Sequence, residues 1–99
     1  LTATEVMAAW RAGAAAVKLF PAATVGPRYL EHLRAPLAHI PLLPTGGIEL
    51  ADVDRFLRAG AIAVGVGGPL LGDAAQGGSL SELACRARTF VNAAEAAGA

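Results

Sequence analysis

One cysteine, Cys85, is all that the 99 residues contain, so neither an internal disulfide nor a cysteine-rich zinc cluster is open to this chain. That usage fits a reducing compartment, and a cytoplasmic location is the expectation. Surplus charge is also missing. Eight basic and eight acidic residues leave formal net charge zero, which removes the electrostatic footprint of a protein held on DNA, RNA or an anionic membrane surface. No apolar run approaches the roughly 20 residues of a membrane helix, because Lys18, Pro41, Pro44 and glycines interrupt each one. No signal peptide is visible. Neither nucleic acid nor membrane is an expected partner. Charged residues make up 16%, too few for a coiled coil, and hydrophobic residues 55%, too many for a disordered tail. One packed soluble domain remains, and its start at Leu1 instead of Met gives the expectation that it belongs to something longer.

Within that domain, helical and strand-like stretches alternate. Residues 2–12 carry a capping-box signal, Thr2 to Glu5, followed by Val6, Met7 and Trp10 at helical spacing and a stop at Gly13. Residues 14–20 (AAAVKLF) form a short apolar run closed by Pro21, the pattern of a strand buried on both faces. After a break at residues 21–27, residues 28–34 place Tyr29, Leu30 and Leu33 on one helical face. Residues 40–43 predict a second strand, 50–59 a helix stopped by Gly60, and 61–66 a third strand. Residues 70–78 read as a loop with room for one short helical turn. A second capping box, Ser79 to Glu82, opens a last helix near residues 80–96, with Leu83, Ala87, Phe90, Val91 and Ala94 as its buried stripe. The order predicts a parallel α/β layout, either part of a (β/α)8 barrel or an open doubly wound sheet. A whole barrel takes about 200 residues or more, so this chain can supply only about three of its strands, and their bare edges call for cover.

Two features could carry chemistry. The only lysine, Lys18, stands in the middle of the most apolar strand. An amine kept neutral in a dry pocket becomes a nucleophile that condenses with a ketone or aldehyde, and the resulting iminium acts as an electron sink. The plain alternative is that Lys18 lies near a strand end and snorkels to water, or pairs with a carboxylate. The second feature is a pair of glycine loops, Thr45-Gly46-Gly47 and Gly65-Val66-Gly67-Gly68, each directly after an apolar strand. Either loop alone is ordinary turn chemistry. Two at the carboxyl ends of consecutive strands suggest a ligand, such as a phosphorylated substrate approached by backbone N–H groups. Leu70 falls where the last glycine of a dinucleotide fingerprint belongs, and no P-loop lysine is present. His32 and His39 lack ligand companions, so no metal site is expected. Asp52 and Asp54 read as helix-start charge, Trp10, Tyr29 and Phe90 as packing, and Cys85 as a small buried hydrophobe.

The runs VKLFPA at residues 17–22, LPTGGI at 43–48 and VGVGG at 64–68 resemble the carboxyl-terminal half of the 2-keto-3-deoxy-6-phosphogluconate (KDPG) and 4-hydroxy-2-oxoglutarate (KHG) aldolase family. The resemblance implies the last three βα units of a TIM barrel, preceded by one helix, with residues 1–99 forming the carboxyl-terminal part of a single domain. It implies a carbon–carbon lyase that cleaves a 2-keto acid to pyruvate and an aldehyde, with neither metal nor other cofactor. Lys18 matches the Schiff-base lysine. Phe20 would pack beside the bound pyruvyl group, Thr45 would contact substrate hydroxyls, and Gly46, Gly47, Gly67 and Gly68 would form the distal, phosphate-side pocket. The family's glutamate base and carboxylate-binding arginine would precede residue 1, and its assembly implies a homo-oligomer, a trimer. Two positions depart from the pattern. Pro69 stands where many relatives have serine and offers neither hydroxyl nor N–H, and Ala23 stands where an acidic residue is common.

Two other readings compete. A phosphate-binding barrel of another activity, such as an epimerase or a thiamin-phosphate-synthase-like protein, needs the glycine loops but not an imine. A non-catalytic barrel segment, stable only by association, needs neither.

Overall fold

The computed structural model describes residues 1–98 and has two layers: helices packed against one face of a small parallel sheet. In chain order they are α1 (Ala3–Arg11), β1 (Val17–Leu19), α2 (Ala22–Arg34), β2 (Leu42–Pro44), α3 (Leu50–Arg58), α4 (Gly68–Leu71) and α5 (Leu80–Ala96), with a 3-10 turn at Ala74–Gln76. The α/β alternation and parallel pairing expected from the sequence are present, Val17, Lys18 and Leu19 lying beside Leu42, Leu43 and Pro44.

Local chemistry sets the helix ends. Thr2 caps α1, its hydroxyl oxygen accepting the Glu5 N–H at 3.3 Å while Glu5 accepts the Thr2 N–H at 2.9 Å. These contacts hold the Glu5 carboxyl below its ordinary value, chiefly through the Thr2 N–H and then the Thr2 hydroxyl. A carboxyl with a depressed pKa stabilises the fold above its unfolded value and stops doing so as pH falls through the folded one. The melting temperature of the protein should therefore exceed that of Glu5→Gln above about pH 4.5, and the gap should close as pH falls through the lowered value. A gap that is constant across this window would refute the cap as its origin. At the other end of α3, Gly60 sits at φ 111°, and the N–H groups of Gly60 and Ala61 reach the carbonyls of Leu57 and Phe56, closing the last turn as a left-handed glycine stop.

Val17, Leu19 and Leu42 point into the helix layer, where Val6, Leu30, Leu33, Ile40, Ile48, Val53 and Phe56 complete the core. Alternation along β1 puts Lys18 on the opposite face, and it is exposed. The expectation of a strand buried on both faces is therefore corrected: no described element covers that second face. The strand itself is also shorter than expected. The proposed third strand at residues 61–66 makes one parallel bridge, Thr45 to Gly65, with further bonds from the Ile62 and Gly65 N–H groups to Leu42 and Pro44. It runs alongside β2, but its outer edge meets no described strand to regularise it.

Three other expectations change. The break at residues 21–27 is a helical turn that kinks at Gly26 (φ 78°) before Pro27 restarts the helix. Cys85 is exposed, not buried, because α5 packs on α3 through the side that carries Phe90. Val91 is exposed for the same reason, and with Leu57, Val64, Val66 and Phe90 it lines an open apolar groove of about 310 Å³. No helix is long and apolar enough to cross a membrane among the described residues.

Candidate functional site

The uncovered face of the sheet gathers most of the residues singled out from sequence. Lys18 and Leu43 are register partners in a parallel pair, so their side chains share one face, and Phe20 and Thr45 follow each of them by two residues. The Lys18 Nζ lies 5.2 Å from the centroid of the Phe20 ring, a cation–π distance. Phe20 is 54% exposed and lies across Gly46. A Cβ built on Gly46 would come within 2.7 Å of the ring atoms Cδ2 and Cε2 and 3.3 Å of the Pro21 Cα. Gly46 also has φ 103°, outside the range of ordinary side-chain-bearing residues. The first glycine loop thus meets both needs for glycine at this position: backbone conformation and room for a ring.

Backbone bonds lace the end of β1 to that loop. Thr45 N–H donates to the Leu19 carbonyl at 2.9 Å, Ala22 N–H to Thr45 at 2.9 Å, and Ala23 N–H to Gly46 at 3.0 Å. The Thr45 hydroxyl turns back to the Leu43 carbonyl at 3.4 Å, and its side chain fills the space where Gly65 lacks one. Gly47 leaves room for the Ala23 methyl, 2.7 Å from where its own Cβ would stand. Lys18, Phe20, Thr45, Gly46 and Gly47 are therefore assembled at one end of the sheet.

Gly67 and Gly68 behave differently. Both are exposed, a Cβ on either would meet nothing within 4 Å, and they enter the four-residue α4. They share the sheet end through Gly65, but no described side chain closes over them. Sequence reasoning quoted Gly65 only as part of a loop; its role is to admit Thr45. The signal available was its place two residues before the second glycine pair. Ala23, which stands where relatives commonly have an acidic residue, fits the small gap over Gly47.

No carboxylate is paired with Lys18 among the described residues. Of the alternatives open from sequence, exposure to solvent is what this chain exhibits, with the amine beside the first glycine loop. The described residues contain no cluster of three metal-ligating side chains. His39 stands edge-on to Trp10, ring centroids 6.2 Å apart at 78°, which is packing. Asp52 accepts the Glu49 N–H at 3.1 Å, and Asp54 pairs with Arg58 at 2.7 Å, so both serve their helix.

Over residues 1–83 the chain matches the family model for KDPG and KHG aldolase. It is 36% identical over 93 residues to 2-dehydro-3-deoxy-6-phosphogalactonate aldolase of Escherichia coli (strain K12), a match covering 93% of this chain and 44% of that protein. Its backbone is similar to a solved native KDPGal structure, with TM-score 0.88 and 35% identity over 97% of this chain and 46% of the other. A cube-shaped protein cage designed by fusing symmetric oligomeric domains contains a similar unit, with TM-score 0.86 and 34% identity over 98% of this chain and 35% of that one. The chain spans less than half the length of these relatives.

Proposed function

The chain belongs to the KDPG and KHG aldolase family, and on that premise we propose that it carries the Schiff-base half of a 2-keto acid aldolase. One observation carries the reading: the only lysine of the chain stands on the uncovered sheet face, its amine against Phe20, whose ring lies on Gly46. In the proposed reaction, neutral Lys18 attacks the C2 ketone, and the resulting carbinolamine takes up a proton from solvent and loses water to give an iminium. A base from outside these residues takes the C4 hydroxyl proton. The C3–C4 bond then breaks, its electrons pass into the iminium to give an enamine, and the aldehyde departs. Protonation at C3 and hydrolysis release pyruvate and restore Lys18. Nothing in this sequence of steps needs a metal.

In this reading Phe20 forms the apolar wall beside the pyruvyl methyl, and Thr45 can exchange its weak 3.4 Å bond to Leu43 for a substrate hydroxyl. Gly46 and Gly47 line the near side, Gly67 and Gly68 the far side toward the distal end of the substrate. The substrate is KDPG, KHG or both. With Pro69 beside it, the distal loop offers one N–H fewer to a phosphate. Cleavage yields pyruvate with glyceraldehyde 3-phosphate or glyoxylate. The open sheet face and the apolar groove beside α5 support a (β/α)8 barrel whose remaining strands cover Lys18 and dry its amine. Assembly into a trimer and a cytoplasmic location complete the proposal.

The test is covalent capture. Incubation with pyruvate and sodium borohydride should leave a reduced pyruvyl adduct on the peptide containing Lys18, found by mass mapping. An unmodified Lys18 under conditions of turnover would end the Schiff-base assignment and favour a glycine-loop barrel of another activity.

A further inference from the structure

We propose that Arg86 is the positioning residue for the Gly67–Gly68 loop, setting the mouth that receives the distal end of the keto acid. This rests on the aldolase reading above. The half-buried guanidinium on α5 donates from Nε to the Leu70 carbonyl at 2.8 Å and from Nη2 to the Leu71 carbonyl at 2.9 Å. Those are the last two residues of α4, a four-residue helix with no side-chain cap at its start.

Such a helix has little to hold it. Its final carbonyls have no partners within the helix, and one turn is far below the length that persists in water without outside contacts. Arg86, 16 residues after Leu70 and 15 after Leu71, supplies a donor to each of these two carbonyls. The planar fork suits two adjacent carbonyls, which an ammonium on a flexible stem does not match. No carboxylate pairs with Arg86 among the described residues, so its donors serve the backbone. One helical turn further on, Phe90 is buried where α5 meets α3, so the anchor is itself fixed. Gly72 lets the guanidinium lie close: a Cβ there would stand 2.9 Å from Nη2. Gly67 and Gly68, which touch no covering side chain, thus owe their position to the helix that Arg86 ties down.

Arg86→Met and Arg86→Lys test this by three measurements. Amide hydrogen exchange reads the helix directly, because the N–H groups of Leu70 and Leu71 donate to Gly67 and that of Gly72 to Gly68. Steady-state kinetics with KDPG and KHG read the mouth, and pyruvate–borohydride capture reads the lysine end. For Arg86→Met, exchange at residues 70–72 and KM for the keto acid should each rise roughly tenfold, while kcat and pyruvate capture stay near those of the unaltered protein. Arg86→Lys, which keeps the charge and one bond, should fall between; it also decides the matter if Arg86→Met does not fold. Faster exchange with KM unchanged would make Arg86 merely structural and overturn the proposal. KM changed without faster exchange, or neither changed, would overturn it as well. Failure of the unaltered protein to capture pyruvate on Lys18 would instead remove the aldolase reading, and this proposal with it.

Discussion

Replacing Lys18 by methionine or by arginine is expected to lower kcat at least about 10³-fold, a barrier increase of about 4 kcal/mol, and to abolish borohydride capture of pyruvate. Both variants should fold. Among the described residues Lys18 forms no ion pair and makes one cation–π contact, with Phe20, so methionine in its place should shift stability by no more than about 0.5–1 kcal/mol. Arginine keeps the positive charge beside the ring but cannot form the imine, which separates covalent chemistry from simple attraction of a carboxylate. Matched melting curves with lost turnover are the expected pair of results. Turnover unchanged in Lys18→Arg would sink the mechanism.

The second large effect is expected at Gly46. Alanine there must adopt φ 103° and place its methyl against the Phe20 ring and the Pro21 backbone. The ring can swing into solvent; the Pro21 Cα, tied through the bonds of residues 22 and 23 to the loop, cannot. Backbone strain of this kind costs about 1–3 kcal/mol, and displacing Phe20 takes the apolar wall from the amine. Gly46→Ala should therefore lower the melting temperature and slow pyruvate capture together. Gly68→Ala is the contrasting case. Its Cβ meets nothing within 4 Å and its φ is not positive, so its stability should lie within about 0.5 kcal/mol of the unaltered protein. Denaturant unfolding of the two variants side by side decides whether loop conformation or mere glycine content is at work.

Much of the helix layer was legible from short-range chemistry. Thr2 with Glu5 marked the start of α1, and Gly60 marked the end of α3, because caps and left-handed stops are decided within a few residues. Ser79 marked the start of α5, its hydroxyl accepting the Glu82 N–H at 3.2 Å. The family was legible too, since VKLFPA and LPTGGI are local strings. Burial was less so. Lys18 lies in an apolar run, and such a run does not say which of its alternate residues faces a second layer. Cys85 and Val91 failed in the same way: α5 offers apolar residues on more than one side, and only its docking on α3 selects the side that carries Phe90. Arg86 gave no signal at all, because its acceptors are backbone carbonyls 15 and 16 residues away.

By itself, the amino-acid order settled the caps and stops of α1, α3 and α5, the parallel α/β class, and the kinship carried by the lysine and the glycine pairs. These depend on periodicity, capping and turn geometry, which act over a few neighbouring residues. Tertiary structure alone decided that Lys18 shares a face with Phe20 and Thr45, that Gly65 yields its space to Thr45, and that a guanidinium on the last helix holds the second glycine loop. Such relations join residues far apart in the chain, and they exist only once strand register and helix docking have brought them within a few ångströms of one another.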